Sequence, residues 1–65
     1  MAKHIVGYIS FYDYDMKLKL VEARDWREAV KLAFNLEPQG KDKREAMQNA
    51  FDNEYMFEAI SLDSP

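Results

Sequence analysis

Met16-Lys17-Leu18-Lys19-Leu20-Val21-Glu22-Ala23-Arg24-Asp25-Trp26-Arg27-Glu28-Ala29-Val30 changes its apolar period part-way along, and that change decides the fold. Up to Ala23, apolar and charged residues alternate at a spacing of two, the pattern of a half-buried strand. From Trp26 the apolar residues Trp26, Ala29, Val30 and Ala33 recur at helical spacing, widened by Phe34 and Leu36, with Arg27, Glu28, Lys31 and Asn35 opposite. Between the two patterns, Asp25 and Glu28 stand three apart as in a capping box: the Asp accepts from an early backbone N–H and the Glu reaches back to the cap. A strand therefore runs straight into an amphipathic helix.

Upstream, residues 4–12 are rich in β-branched and aromatic types and read as another strand. Asp13-Tyr14-Asp15 joins the two strands with residues whose short side chains hydrogen-bond their own backbone in a turn, which predicts a β-hairpin. Downstream, Pro38 disfavours helical geometry at Glu37, and Gly40 permits a sharp redirection. Asp42 and Glu45 repeat the capping spacing and open a second helix with an apolar stripe of Ala46, Met47, Ala50 and Phe51. Residues 55–62 read as a third strand, and 1–3 and 63–65 as frayed ends.

The order ββααβ predicts an α+β fold. It is a two-layer sandwich with a three-stranded, mainly antiparallel sheet and both helices packed on one face. Residues 1–65 form a single small domain in this reading. Alternation assigns Ile5, Ile9, Phe11, Met16, Leu18 and Leu20 to the core. Val6, Tyr8, Ser10, Tyr12, Lys17, Lys19 and Val21 are left on the open face. The third strand fits either way, burying Met56, Ile60 and Leu62 or burying Tyr55, Phe57 and Ala59.

Composition narrows the function. The 65 residues carry 9 Lys and Arg against 12 Asp and Glu, a net charge of −3, with one His and no Cys. Without cysteine there is neither a disulfide framework nor a thiolate metal site, which fits a reducing, cytoplasmic setting. The start lacks the apolar stretch of a signal peptide and no run approaches a membrane span, so a soluble, unprocessed protein without membrane association is expected. Charge is uneven: residues 1–24 are nearly balanced, whereas residues 45–65 carry five acidic side chains and no basic one.

The inventory for catalysis is thin. His4 stands at a strand start and reads as a surface residue, with no serine and carboxylate spaced to form a triad around it. Asp13 and Asp15 flank a solvated turn, and the glycine and glutamate of a calcium loop are missing at Leu18 and Arg24. The two glycines, Gly7 and Gly40, cannot make a phosphate-cradling loop. No enzyme activity, metal or cofactor is expected.

Binding is the class that remains. Tyr8, Tyr12, Lys17, Lys19 and Phe57 on one sheet face would let bases stack beside lysines, but the acidic total and the lack of an RNP-like motif weigh against nucleic acid. The same residues, with Tyr14 and Trp26, suit a protein interface, since tyrosine offers large contact area at low entropy cost. A free edge strand is a second association surface. A homodimer would extend a core that is marginal at this size. Trp26, at the first turn of its helix, also fits as a core plug. Asp52, Glu54, Glu58 and Asp63 form a candidate acidic patch that could imitate a phosphate backbone and occupy the nucleic-acid site of a partner.

The junction Val21–Ala29 resembles the capped strand-to-helix passage of many small α+β domains and specifies no activity. In size and character the chain is similar to accessory proteins of phages and mobile elements. That analogy implies a regulatory or inhibitory protein that binds another protein.

Overall fold

The structure, a computed structural model, describes residues 1–63. Strands β1 (Ala2–Ser10) and β2 (Met16–Ala23) form the expected antiparallel hairpin. Its turn closes through Tyr14 N–H donating to the Ser10 carbonyl at 2.8 Å and Asp15 N–H donating to Asp13 Oδ1 at 3.0 Å. Helices α1 (Trp26–Phe34) and α2 (Lys43–Asp52) follow, then β3 (Tyr55–Ser61), which pairs antiparallel with β1. The sheet order is β2-β1-β3, so the first strand is central and both edges belong to later segments.

The helix starts follow from their caps. Asp25 accepts from Glu28 N–H at 2.8 Å and Asp42 accepts from Glu45 N–H at 2.9 Å. Each Glu reaches one residue further back than the usual box, to Arg24 N–H at 2.9 Å and Lys41 N–H at 3.1 Å. Helix α1 ends earlier than Pro38 requires, because Asn35 adopts the left-handed conformation at φ 56° and its N–H closes the last turn on Lys31. Gly40 sits at φ 147°, and a Cβ there would lie 2.7 Å from Ala46 N. No other residue fits that redirection without strain. Arg27 ties the connection down, donating to the Pro38 and Gly40 carbonyls at 2.6 and 2.7 Å while its guanidinium covers Trp26.

The N-terminus departs from expectation. Strand β1 starts at Ala2, two residues before the expected start: Ala2 and Lys3 pair with Ala23 and Glu22, and Lys3 N–H donates to Asp63 at 3.1 Å. Ser64 and Pro65, also expected to fray, lie outside the described residues.

The larger departure concerns which face of the sheet the helices cover. They pack on Val6, Tyr8, Val21, Ala23, Phe57 and Ala59, the face expected to be open, and β3 takes the register that buries Tyr55, Phe57 and Ala59. Ile5, Met16, Leu18 and Leu20, assigned above to the core, are exposed on the opposite face, where Ile9 also lies. The cause is shape. The helices present Ala29, Ala33, Ala46 and Ala50, which leave deep room for large sheet residues. Phe57 stacks on Trp26 at 5.9 Å between centroids, and Tyr8 packs against Phe34 at 5.2 Å and Tyr55 at 5.8 Å.

Two predictions follow from this packing. Ala33→Leu should destabilise the domain by about 1–3 kcal/mol through overpacking. Its neighbour Leu32→Ala, 59% exposed, should stay within about 0.5 kcal/mol, so urea midpoints should rank the two against ordinary core intuition. The second concerns acid. Bonds from the Arg24 backbone N–H and then from its side chain hold the Glu28 carboxyl below its ordinary value. That contribution is therefore present above the unfolded value of about 4.3 and is lost as pH falls through the lower folded one. Urea midpoints followed into acid should fall less steeply in Glu28→Gln than in the unaltered chain.

Candidate protein-binding face

Register fixes the layout of the uncovered side of the sheet. Three rows run across it: Leu20–Ile5–Ile60, Leu18–Gly7–Glu58 and Met16–Ile9–Met56. Seven of these nine positions are Ile, Leu or Met, and six of those seven are exposed, from 39% at Ile5 to 66% at Leu18. Among the described residues no Ile, Leu or Met is fully buried; Leu36 and Met47 are half-buried against the core, and Ile9 is half-buried. The buried apolar set consists instead of six alanines with Val6, Val30 and Phe57. The large aliphatic residues of this chain are thus spent on its surface, and most of them on one plane.

The face has relief. Gly7 contributes no side chain to the middle row, and a Cβ there would meet Leu18 Cδ2 at 3.2 Å. Beside this contact lies a hollow of about 110 Å³ lined by Gly7, Ile9, Met16, Met56 and Glu58. Leu18 therefore lies over Gly7, with the depression beyond it toward Ile9 and Met56.

Charge on the face is sparse and paired. Glu58 forms an ion pair with Lys43 of α2, which reaches round the margin of β3. These side chains also occupy one position on the outer edge of β3: Ala59 N–H donates to Glu58 Oε1 at 2.8 Å, and Lys43 Nζ donates to the Ala59 carbonyl at 2.6 Å. At that position the backbone N–H and C=O are both taken and do not template an added strand. At the end of the sheet, Lys3 lies directly opposite Glu22.

The aromatic interface expected from the sequence does not assemble. Tyr8 and Phe57 face the helices: Phe57 is buried in the core, and Tyr8 is half-buried against Phe34 and Tyr55. Trp26 is half-buried between Phe57 and Arg27, the core-plug arrangement. Lys17 and Lys19 are exposed on the helix side, where Lys19 Nζ lies over Phe34 at 5.2 Å and screens the flank of the core. Tyr12 and Tyr14 are exposed at the hairpin turn, with Phe11 stacked on Tyr14 and edge-on to Phe51. The row of bases that Tyr8, Tyr12 and Phe57 would have carried has no continuous platform.

The acidic residues disperse too. Asp52 and Glu54 lie by the hairpin turn, joined to it by Phe11 N–H donating to the Glu54 carbonyl at 2.9 Å. Glu58 belongs to the bare face, and Asp63 caps Lys3 at the far end. Among the described residues no three His, Asp or Glu side chains converge as metal ligands would. His4, read as a surface residue, is instead 4% exposed on the helix side, with Nδ1 donating to the Ala2 carbonyl at 3.0 Å. The strand extends two residues beyond its expected start and covers it.

A larger hollow of about 570 Å³ lies between α2 and β3, lined by Lys43, Met47, Phe51 and Glu58 among others. The cleft beside α1 contains Arg24, Arg27 and Lys31, but their partners are Glu28, the connection carbonyls and Glu37. No family model, curated protein or solved structure matches the chain. What defines it is a two-layer α+β fold bearing one uncovered aliphatic sheet face. No helix among the described residues is long and apolar enough to cross a membrane.

The turn yields a spectroscopic prediction. Hydrogen bonding to the Glu54 carboxylate, reinforced by its charge, raises the Tyr12 hydroxyl above its ordinary value. Glu54→Gln should lower the pH at which the Tyr12 ring carbon shifts titrate in NMR.

Proposed function

We propose that the chain is a non-enzymatic protein-binding module, regulatory or inhibitory in role, whose contact surface is the aliphatic face of Ile5, Ile9, Met16, Leu18, Leu20, Met56 and Ile60. One observation carries this reading: the largest aliphatic side chains are gathered on a sheet face that neither helix covers, while alanines fill the core. Exposed apolar surface of this contiguity costs solubility and is the usual mark of an association site. The reading moves the contact from an aromatic face to an aliphatic one and away from the β3 edge, which Lys43 and Glu58 occupy at Ala59.

The absence of a catalytic role is part of the proposal. It is supported by the engagement of the groups that could supply one, with His4 buried against a carbonyl and Glu28 committed to a helix cap. Dispersal of Asp52, Glu54, Glu58 and Asp63 likewise favours the aliphatic face over phosphate mimicry.

The test is a binding comparison. Leu20→Lys combined with Ile60→Lys places two charges in one row of the face, and Asp52→Asn combined with Glu54→Gln removes the acidic turn. Partner capture from lysate should fall at least about tenfold with the first pair, as for loss of a central contact, and persist with the second. Loss with the acidic pair and retention with the lysine pair would instead favour electrostatic mimicry.

A further inference from the structure

We infer that the outer edge of β2 takes up an extended segment of a partner protein as an added antiparallel strand, with an acidic residue of that segment facing Lys17 and apolar residues beside Leu18 and Leu20. The inference rests on the reading of the chain as a protein-binding module and adds the means by which a partner's backbone joins it.

The direction of the backbone groups comes first. In an antiparallel sheet, successive residues of a central strand bond alternately to one neighbour and to the other. The Lys3 carbonyl accepts from Leu62 N–H at 2.8 Å and Phe11 N–H donates to the Glu54 carbonyl at 2.9 Å, so the odd-numbered residues of β1 bond toward β3. His4, Val6 and Tyr8 therefore bond toward β2, where they pair with Val21, Lys19 and Lys17. The N–H and C=O groups of Met16, Leu18, Leu20 and Glu22 are left pointing away from the sheet. Among the described residues no turn or loop backbone bonds to them.

The two edges differ in this respect. On β3 the outward groups of Ala59 are taken by Glu58 and Lys43. Strand β2 has no such device, and residues 16–20 are exposed throughout. A row of unpaired donors and acceptors at strand spacing is matched by another extended backbone. A helix cannot supply one, because its backbone groups are bonded internally. Both existing pairings of the sheet are antiparallel, and an added strand continues the pattern.

Side chains select the occupant. Residues directly opposite on paired strands share a face. On the helix side β2 presents Lys17 and Lys19. Lys19 holds its ammonium over Phe34, whereas Lys17 has no ion-pair partner among the described residues. A carboxylate across from Lys17 thus meets an unengaged charge, while the other side of the added strand extends the apolar rows that begin at Leu18 and Leu20. The same lysines oppose a second copy at this edge. Two-fold pairing centred on Leu18 sets Lys17 against Lys19, and pairing centred on Lys19 sets that residue against itself. Like charges across a strand pair are destabilising. An edge carrying lysine in this way disfavours its own copy and favours an acidic strand.

The test uses the full, isotope-labelled chain and an end-blocked peptide of alternating Glu and Val, as long as β2. In the free chain the Leu18 and Leu20 amides should exchange rapidly with solvent, and those of Lys19 and Val21, bonded to β1, slowly. Saturating peptide should slow exchange at Leu18 and Leu20 by at least about tenfold. A peptide with Lys in place of Glu should bind about tenfold more weakly, the difference between an attractive and a repulsive cross-strand pair. That order should reverse in Lys17→Glu. N-methylation of the valines, which lie opposite Leu18 and Leu20, should abolish binding without altering the chain. Leu18→Pro, which removes one outward N–H and none that bonds to β1, should do the same, with circular dichroism to confirm that it folds. Binding of the methylated or lysine peptide as tight as the first, or no slowed exchange at millimolar peptide, overturns the inference. Slowed exchange in the chain alone that grows with its concentration assigns the edge to a second copy and also overturns it. Shifts at Ile5, Met56 and Ile60 without protected edge amides overturn strand addition and leave the aliphatic-face reading standing. That reading is judged separately, by partner capture with the Leu20→Lys and Ile60→Lys pair.

Discussion

The fit of alanine helix faces against an aromatic sheet face is the constraint on which the rest of the molecule depends. Ala29, Ala33, Ala46 and Ala50 bring the helix backbones close to the sheet, and the space they leave is of a size for Phe57, Tyr8 and Tyr55. An interior must be filled at nearly crystalline density, so small residues on one layer demand large ones on the other. Once the aromatics turn inward, the strict alternation of a strand turns their neighbours outward. Ile5, Ile9, Met56 and Ile60 are uncovered because Val6, Tyr8, Phe57 and Ala59 are not. The bare face is thus a consequence of how the core is built, and no local change could hide it without reversing the register of all three strands.

Much of this was legible in the chain itself. The switch from period two to helical spacing, the paired Asp and Glu at each helix start and the Asp-Tyr-Asp turn mark element order because each is a local signal with a local cause. Sidedness was different. In β1 and β2 both alternating sets are apolar enough to be buried, and alternation separates the sets without saying which one meets the helices. The aliphatic set is the one expected inside, and the structure buries the other. A usable signal was present in the helices, whose stripes are chiefly alanine and so call for aromatic partners rather than for Ile and Leu on both layers. His4 was misplaced for a related reason: a strand that starts at Ala2 gives it neighbours on both sides, whereas one that starts at His4 leaves it at an end.

The polar side chains show the same economy. Arg27 holds the connection between the helices and Lys43 satisfies a strand edge, while Lys19 shields an aromatic ring. Each is a charged head on a long apolar stem, able to cover a flank while keeping its charge wet or paired. In so small a domain these stems do part of the work that a third layer would do elsewhere. The candidate sites drawn from sequence dissolve for this reason, since Lys19 and Trp26 are occupied in closing the core rather than free to meet a partner.

A core of six alanines, two valines and a phenylalanine is small even for 65 residues, and domains of this size are marginal on packing alone. Occupancy of the outer face then bears on folding as well as on recognition. Any partner that binds the folded chain and not the unfolded one adds stability in proportion to the logarithm of its concentration over its dissociation constant. The aliphatic residues that contribute little to the isolated sheet acquire a desolvated environment only when the face is covered. Folding and association are in this way drawn from one set of strands: the inner alternation builds the domain, and the outer alternation is available to complete it.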